Sequence, residues 1–176
     1  RFEYYRSYAS RLTWQATSKN KLNFFADVQN NCGCRREGNV APEAKTQLRF
    51  YPQGLYQLAW TSPVTSRFLI EAGVSATISN WPTWPQVGVT GDTIPTTELS
   101  TGFQYNSGGS YNKPQQSDRH AQRFSMSYVT GSHNFKVGVQ VEQGISSVGV
   151  GANIGSTTIS YGMLRGVPNR LTQRAT

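Results

Sequence analysis

Seven stretches of this chain alternate apolar and polar residues with period two, and the joins between them are either very short or very long. The clearest stretch places Phe68, Ile70, Ala72, Val74, Ala76 and Ile78 on one parity and Arg67, Leu69, Glu71, Gly73, Ser75 and Thr77 on the other. Side chains on a strand point alternately to its two faces, so this segment has one apolar face and one polar, partly charged face.

The same pattern recurs along the chain. Leu12, Trp14 and Ala16 form the apolar side of a first strand over 11–16, and a polar turn at 18–20 leads into a second with Leu22, Phe24, Ala26 and Val28. That pair reads as a hairpin. A long loop from Asn30 to Lys45 precedes a third strand, Thr46 to Trp60, on which Leu48, Phe50, Tyr56, Leu58 and Trp60 share one parity. Pro52 and Gly54 interrupt it, which predicts a bulge or kink. After a turn at 62–65 comes the strand described above, and then an irregular region from Asn80 to Asp118 in which 99–105 could add a short strand. The fifth and sixth strands carry Phe124, Met126 and Tyr128, then Phe135, Val137, Val139 and Val141, with a turn at 130–133 between them. A glycine-rich loop, Gly144 to Gly155, is expected next. A seventh strand with Ile159, Tyr161 and Met163 follows, then a turn at 165–169 and an eighth strand beginning at Arg170.

Short turns and long loops therefore alternate along the chain. Sorting turns to one end of a sheet and loops to the other is how transmembrane β-barrels are built. The fold class expected is all-β: an antiparallel transmembrane β-barrel wall, about eight strands of a larger barrel, occupying 1–176 as one partial domain. The strands are longer than the ~5–6 residues usual in soluble sheets. Trp14, Trp60, Tyr128 and Phe135 lie near the turns, where an interfacial aromatic girdle belongs. A soluble antiparallel sandwich, with the same alternation turned inward, stays open as an alternative.

Composition narrows the classes further. Mean hydropathy is -0.51, and no apolar run reaches the ~18–20 residues a membrane helix requires. The net charge of +8 comes from 17 basic and 9 acidic residues. The bases are spread along the chain, with no cluster longer than Arg35-Arg36, so no nucleic-acid partner is expected. The first ten residues lack the apolar core of a signal peptide. The start without Met favours a piece of something longer.

On the polar parity stand Arg11, Asp27, Arg49, Arg67, Glu71, Arg123, Lys136 and Glu142. A charge facing lipid near the midplane costs about 2–4 kcal/mol, so these side chains are expected to face a lumen. In the long loop, Trp81, Trp84, Tyr105 and Tyr111 are candidates for capturing an external ligand. Cys32 and Cys34 are too few for a disulfide framework or a zinc site, which leaves a local loop disulfide or two thiols. His120 and His133 fall in different segments, and Asp92, Glu98 and Asp118 read as solvated loop charges. No catalytic constellation, phosphate-cradling loop or cofactor motif stands out, so neither an enzyme nor a cofactor is expected.

Several stretches carry a resemblance. Arg11-Leu12-Thr13-Trp14-Gln15-Ala16-Thr17 with its hairpin, Asn31-Cys32-Gly33-Cys34-Arg35, His133-Asn134-Phe135-Lys136-Val137-Gly138 and Gly166-Val167-Pro168-Asn169 resemble the barrel of TonB-dependent receptors. The similar branch carries a carboxypeptidase-regulatory-like domain ahead of the plug. The resemblance implies a bacterial outer-membrane location, a lipid surround, a plug domain and TonB as partners in a full-length parent, and energy-coupled import of a scarce ligand. The chain itself contains no plug and no TonB box, so it would be a central slice of such a barrel. A passive porin-like or structural barrel is the alternative.

Overall fold

The computed structural model describes residues 3–34, 38–109, 111–150 and 158–173. Antiparallel strands dominate. β1 (Glu3–Gln15), β2 (Lys21–Gly33), β3 (Gln47–Pro63), β4 (Phe68–Ser79), β8 (Asn112–Thr130) and β9 (His133–Val150) pair in that order to make a wall, and β5 (Thr83–Trp84) adds to the loop end of β3. A second sheet of four short strands has the order β11-β10-β6-β7, from β6 (Thr96–Glu98), β7 (Phe103–Tyr105), β10 (Ile159–Leu164) and β11 (Val167–Gln173). Among the described residues neither sheet closes on itself, and β1 and β9 are each paired along one edge only.

The alternation sets the faces of the wall. Residues directly opposite each other in an antiparallel pair project to the same side. The register links Leu12, Phe24, Leu58, Val74, the polar Gln122 and Val141, and one step nearer the turns Trp14, Leu22, Trp60, Ala72, Phe124 and Val139. These belong to one largely apolar face. Most of its larger side chains are exposed, among them Trp14, Leu12, Val74 and Phe135. The other face carries Arg11, Asp27, Gln57, Ser75, Arg123 and Glu142. The buried apolar side chains, Cys32, Ala41, Ala44, Val89 and Tyr111, all sit at the loop end. The wall between the turns and the loops has no core of its own.

Turns join β1 to β2, β3 to β4 and β8 to β9 at one end. The first two are tied together where Lys19 Nζ donates to Val64 O at 2.9 Å. The connections β2–β3 and β4–β8 lie at the other end and build the loop layer, including a 3-10 turn at Pro42–Ala44.

Several expectations change. The wall has six long strands rather than about eight, because the seventh and eighth stretches form the β10–β11 hairpin of the small sheet. Its two-residue turn, Arg165 and Gly166 with φ of 54° and 78°, has the type I′ shape. β10 runs parallel to β6, a strand within the β4–β8 loop, so this turn is not sorted with the other three. β9 continues to Val150 where a loop from Gly144 was expected, and β8 begins at Asn112. Part of the expected glycine-rich loop, 151–155, and the end of the eighth stretch, 174–176, lie outside the described residues.

Candidate functional site

The polar face of the wall places six of the eight charged residues singled out in the sequence. Glu71 accepts from Lys136 Nζ at 2.9 Å and from Ser125 Oγ at 3.3 Å, tying β4, β8 and β9 together across the face. Arg123 lies close beside Gly73, where an added Cβ would meet its Nε at 3.0 Å. Asp27 accepts from Ser7 Oγ and Gln29 Nε2, each at 2.6 Å. Arg11 rests over the Phe25 ring at 5.6 Å. Glu142 accepts from Gln140 Nε2 at 2.7 Å. Between Arg123 and Glu142, the small residues Ala59, Gly73, Ser75 and Ala121 leave a shallow hollow of about 270 Å³.

Two of the eight stand elsewhere. Arg67 is in the β3–β4 turn, where its carbonyl accepts the Val129 N–H at 2.8 Å. Arg49 is on the other face. β3 carries a bulge where Tyr51 and Pro52 together oppose Asn30, so Gln29 faces Gln53 but Asn31 faces Phe50. One extra residue reverses every side chain beyond it. Arg49 is thereby opposite Cys32, on the parity of Leu22 and Val28. The proline is accommodated there because a bulge leaves an N–H without a ladder partner.

The loop layer scatters the four aromatic residues. Tyr111 is buried, with its hydroxyl accepting the Gly108 N–H at 3.1 Å, so it supports the loop and presents no surface to a ligand. Trp81 is fixed to β8 by its N–H to Gln115 O at 2.9 Å. Tyr105 lies in β7, its ring 6.4 Å from that of Phe103. Trp84 is exposed on β5 and carries two cations, Lys113 Nζ at 3.0 Å and the Arg49 guanidinium carbon at 5.8 Å from the ring centre. Cys32 and Cys34 are joined in a disulfide, with Cys32 at the end of β2 rather than in a loop.

Glu98, read from the sequence as a solvated loop charge, is instead bonded on both carboxylate oxygens. Its carboxylate accepts the N–H groups of Arg165 (2.9 Å), Gly166 (3.0 Å) and Ser100 (3.2 Å), and the Ser100 hydroxyl at 2.6 Å. These donors, the Ser100 hydroxyl first and then the two turn amides, hold the carboxyl down to about 2. A Glu followed two residues later by Ser signals a local bond, but nothing in the sequence announces a partner turn this far along the chain.

No family model matches the chain. Comparison with curated proteins and with solved structures finds no match either. The functional reading therefore rests on the two faces of the wall and on the loop layer.

Proposed function

We propose that this chain is part of an outer-membrane β-barrel wall of the TonB-dependent receptor type, and that it serves energy-coupled import of a scarce ligand. One observation carries the membrane part: a largely apolar face across six strands, interrupted on β8 by Gln122 and His120, with nothing packed on it among the described residues. A soluble sandwich would bury that face against a second sheet. Lipid would cover it instead, while the charged opposite face would line a lumen or meet a plug.

The position of the apolar band supports the reading. On β1 the band begins at Trp14, which shares its row with Val139 on β9, yet on β9 the band begins at Phe135, four residues nearer the turn. A slip of about 13 Å across five strand spacings of about 4.8 Å corresponds to a tilt of about 30°. Barrel strands tilt by roughly 35–45°. A level band on tilted strands gives such a slip, as barrel closure requires.

Heat-modifiable gel mobility after refolding into detergent or liposomes tests the membrane part. A chain that stays monodisperse and folded in plain buffer would overturn it. Coupling is tested separately, by binding of the full-length parent to the periplasmic domain of TonB; no binding would leave a passive barrel.

A further inference from the structure

The apolar face ends before the loop layer, and just beyond it two basic side chains share one indole. Arg49 and Lys113 both lie on Trp84, and both are brought there by bulges. On β3 the extra residue at 51–52 turns Arg49 outward. On β8 a second register shift, between Asn112 and Gln115, accompanies Lys113 and Pro114. The two strands are not neighbours in the wall, and β5 fills the gap between their loop ends.

The arrangement is held from behind. Gln47, itself buried, donates from Nε2 to Pro85 O at 3.0 Å, and its Oε1 accepts Arg49 Nε at 3.1 Å and Nη2 at 2.7 Å. That leaves the other edge of the guanidinium open. Neither cation has a carboxylate partner among the described residues, where the pair Lys136–Glu71 is the ion bridge formed. A π face attracts each cation but does not neutralise it, and two like charges on one ring repel. An anion bound beside both relieves that repulsion.

We propose that Arg49, Lys113 and Trp84 form a binding site for a phosphoryl group on the outer face of the wall, just above the apolar band. Guanidinium and ammonium are the side chains that recognise phosphate oxygens, the former through its planar fork. Cys32, opposite Arg49, is four residues past Val28 on the same face, about 13 Å along the strand. In a membrane this is the headgroup zone bordering the hydrocarbon. The lowered proton affinity of Lys113, caused first by burial and then by Arg49, agrees with an uncompensated cation pair. The phosphoryl group could come from a lipid headgroup or from a free phosphate. Only the lipid source rests on the membrane reading above.

The test uses the whole chain in neutral-detergent micelles. Inorganic phosphate, dihexanoyl phosphatidic acid and, as the net-neutral reference, dihexanoyl phosphatidylcholine are each titrated while tryptophan fluorescence and phosphorus NMR are followed. A saturable response to a phosphate monoester is expected, with affinity about tenfold weaker in Lys113→Glu and in Arg49→Gln. The fluorescence component is expected to disappear in Trp84→Phe. Lys113→Glu sets a carboxylate beside Arg49, so it removes the site without leaving an unpaired charge, and circular dichroism checks its fold. Response to phosphatidic acid alone identifies a headgroup site, and equal response to inorganic phosphate identifies a free-anion site. Equal binding by wild type and both charge variants, or the same response to chloride at matched ionic strength, overturns the proposal. Failure of both arms would leave the barrel reading untouched, because that is decided by gel mobility.

Discussion

The Glu98 carboxylate accepts the Gly166 N–H at 3.0 Å, joining the β6–β7 excursion of one loop to the turn of a hairpin much later in the chain. Beside it the Arg165 N–H bonds to the other carboxylate oxygen at 2.9 Å. This ionised side chain adds to the backbone pairing of β10 with β6, where Leu99 N–H also bonds to Met163 O at 2.7 Å.

Because folding lowers the Glu98 pKa from 4.5 to about 2, its contribution is fully present above 4.5 and is lost as pH falls through about 2. The Arg165 and Gly166 amide resonances should titrate with a midpoint near 2 in the folded chain. In Glu98→Gln that titration should vanish, and exchange of the two amides should speed up at neutral pH. A wild-type midpoint at the ordinary carboxylate value would mean that the two amides do not bind this carboxylate.

Val139 is exposed on the apolar face, while its neighbour Gln140 is opposite Arg123 on the polar face. In liposomes, Val139→Arg should lower unfolding free energy by about 2–4 kcal/mol and Gln140→Arg by less than about 0.5. Urea titrations of both variants provide the comparison. Equal small effects would show that the Val139 face meets water.

The Lys136–Glu71 bridge has side chains 61% and 39% exposed. Open to water, it should contribute less than about 1 kcal/mol and weaken with salt. A double-mutant cycle with Lys136→Met and Glu71→Gln in low and high salt measures it. A larger, salt-insensitive coupling would place the pair in a dry environment.

Gly54 sits beside the β3 bulge, where a Cβ would stand 2.5 Å from the Asp27 carbonyl oxygen. Backbone, not a flexible side chain, would have to move. Gly54→Ala should therefore cost about 1–3 kcal/mol, read from the urea midpoint, and should shift amide signals on β2 as well as β3.

The hairpins and the three sorted turns were legible because period-two alternation is strong wherever one face is apolar. It faded beyond the band. Glu3 to Ser10 and Asn112 to Arg119 are strand in the structure, but both of their faces carry polar groups, so no parity marked them. Arg49 was assigned to the wrong face because parity was counted straight through Pro52. Proline and glycine announced a bulge there, yet only the register shows that it inserts one residue and so reverses the parity. Tyr111 was misjudged for a different reason: composition marks an aromatic loop residue but not whether its hydroxyl is already occupied. The β10–β11 hairpin obeyed local turn chemistry, but its place in the loop layer comes from long-range pairing with β6 and from the distant Glu98, which no local pattern marks.

Among the described residues, β1 from Tyr5 onward and β9 pair along one edge only, which leaves the outward backbone groups of the other edge without a described strand partner. The chain kept apart from further strands would be an unfinished weave, ready to extend at both selvedges. Without strands to continue the wall it should add copies of itself edge to edge, growing ribbons whose onset steepens with concentration.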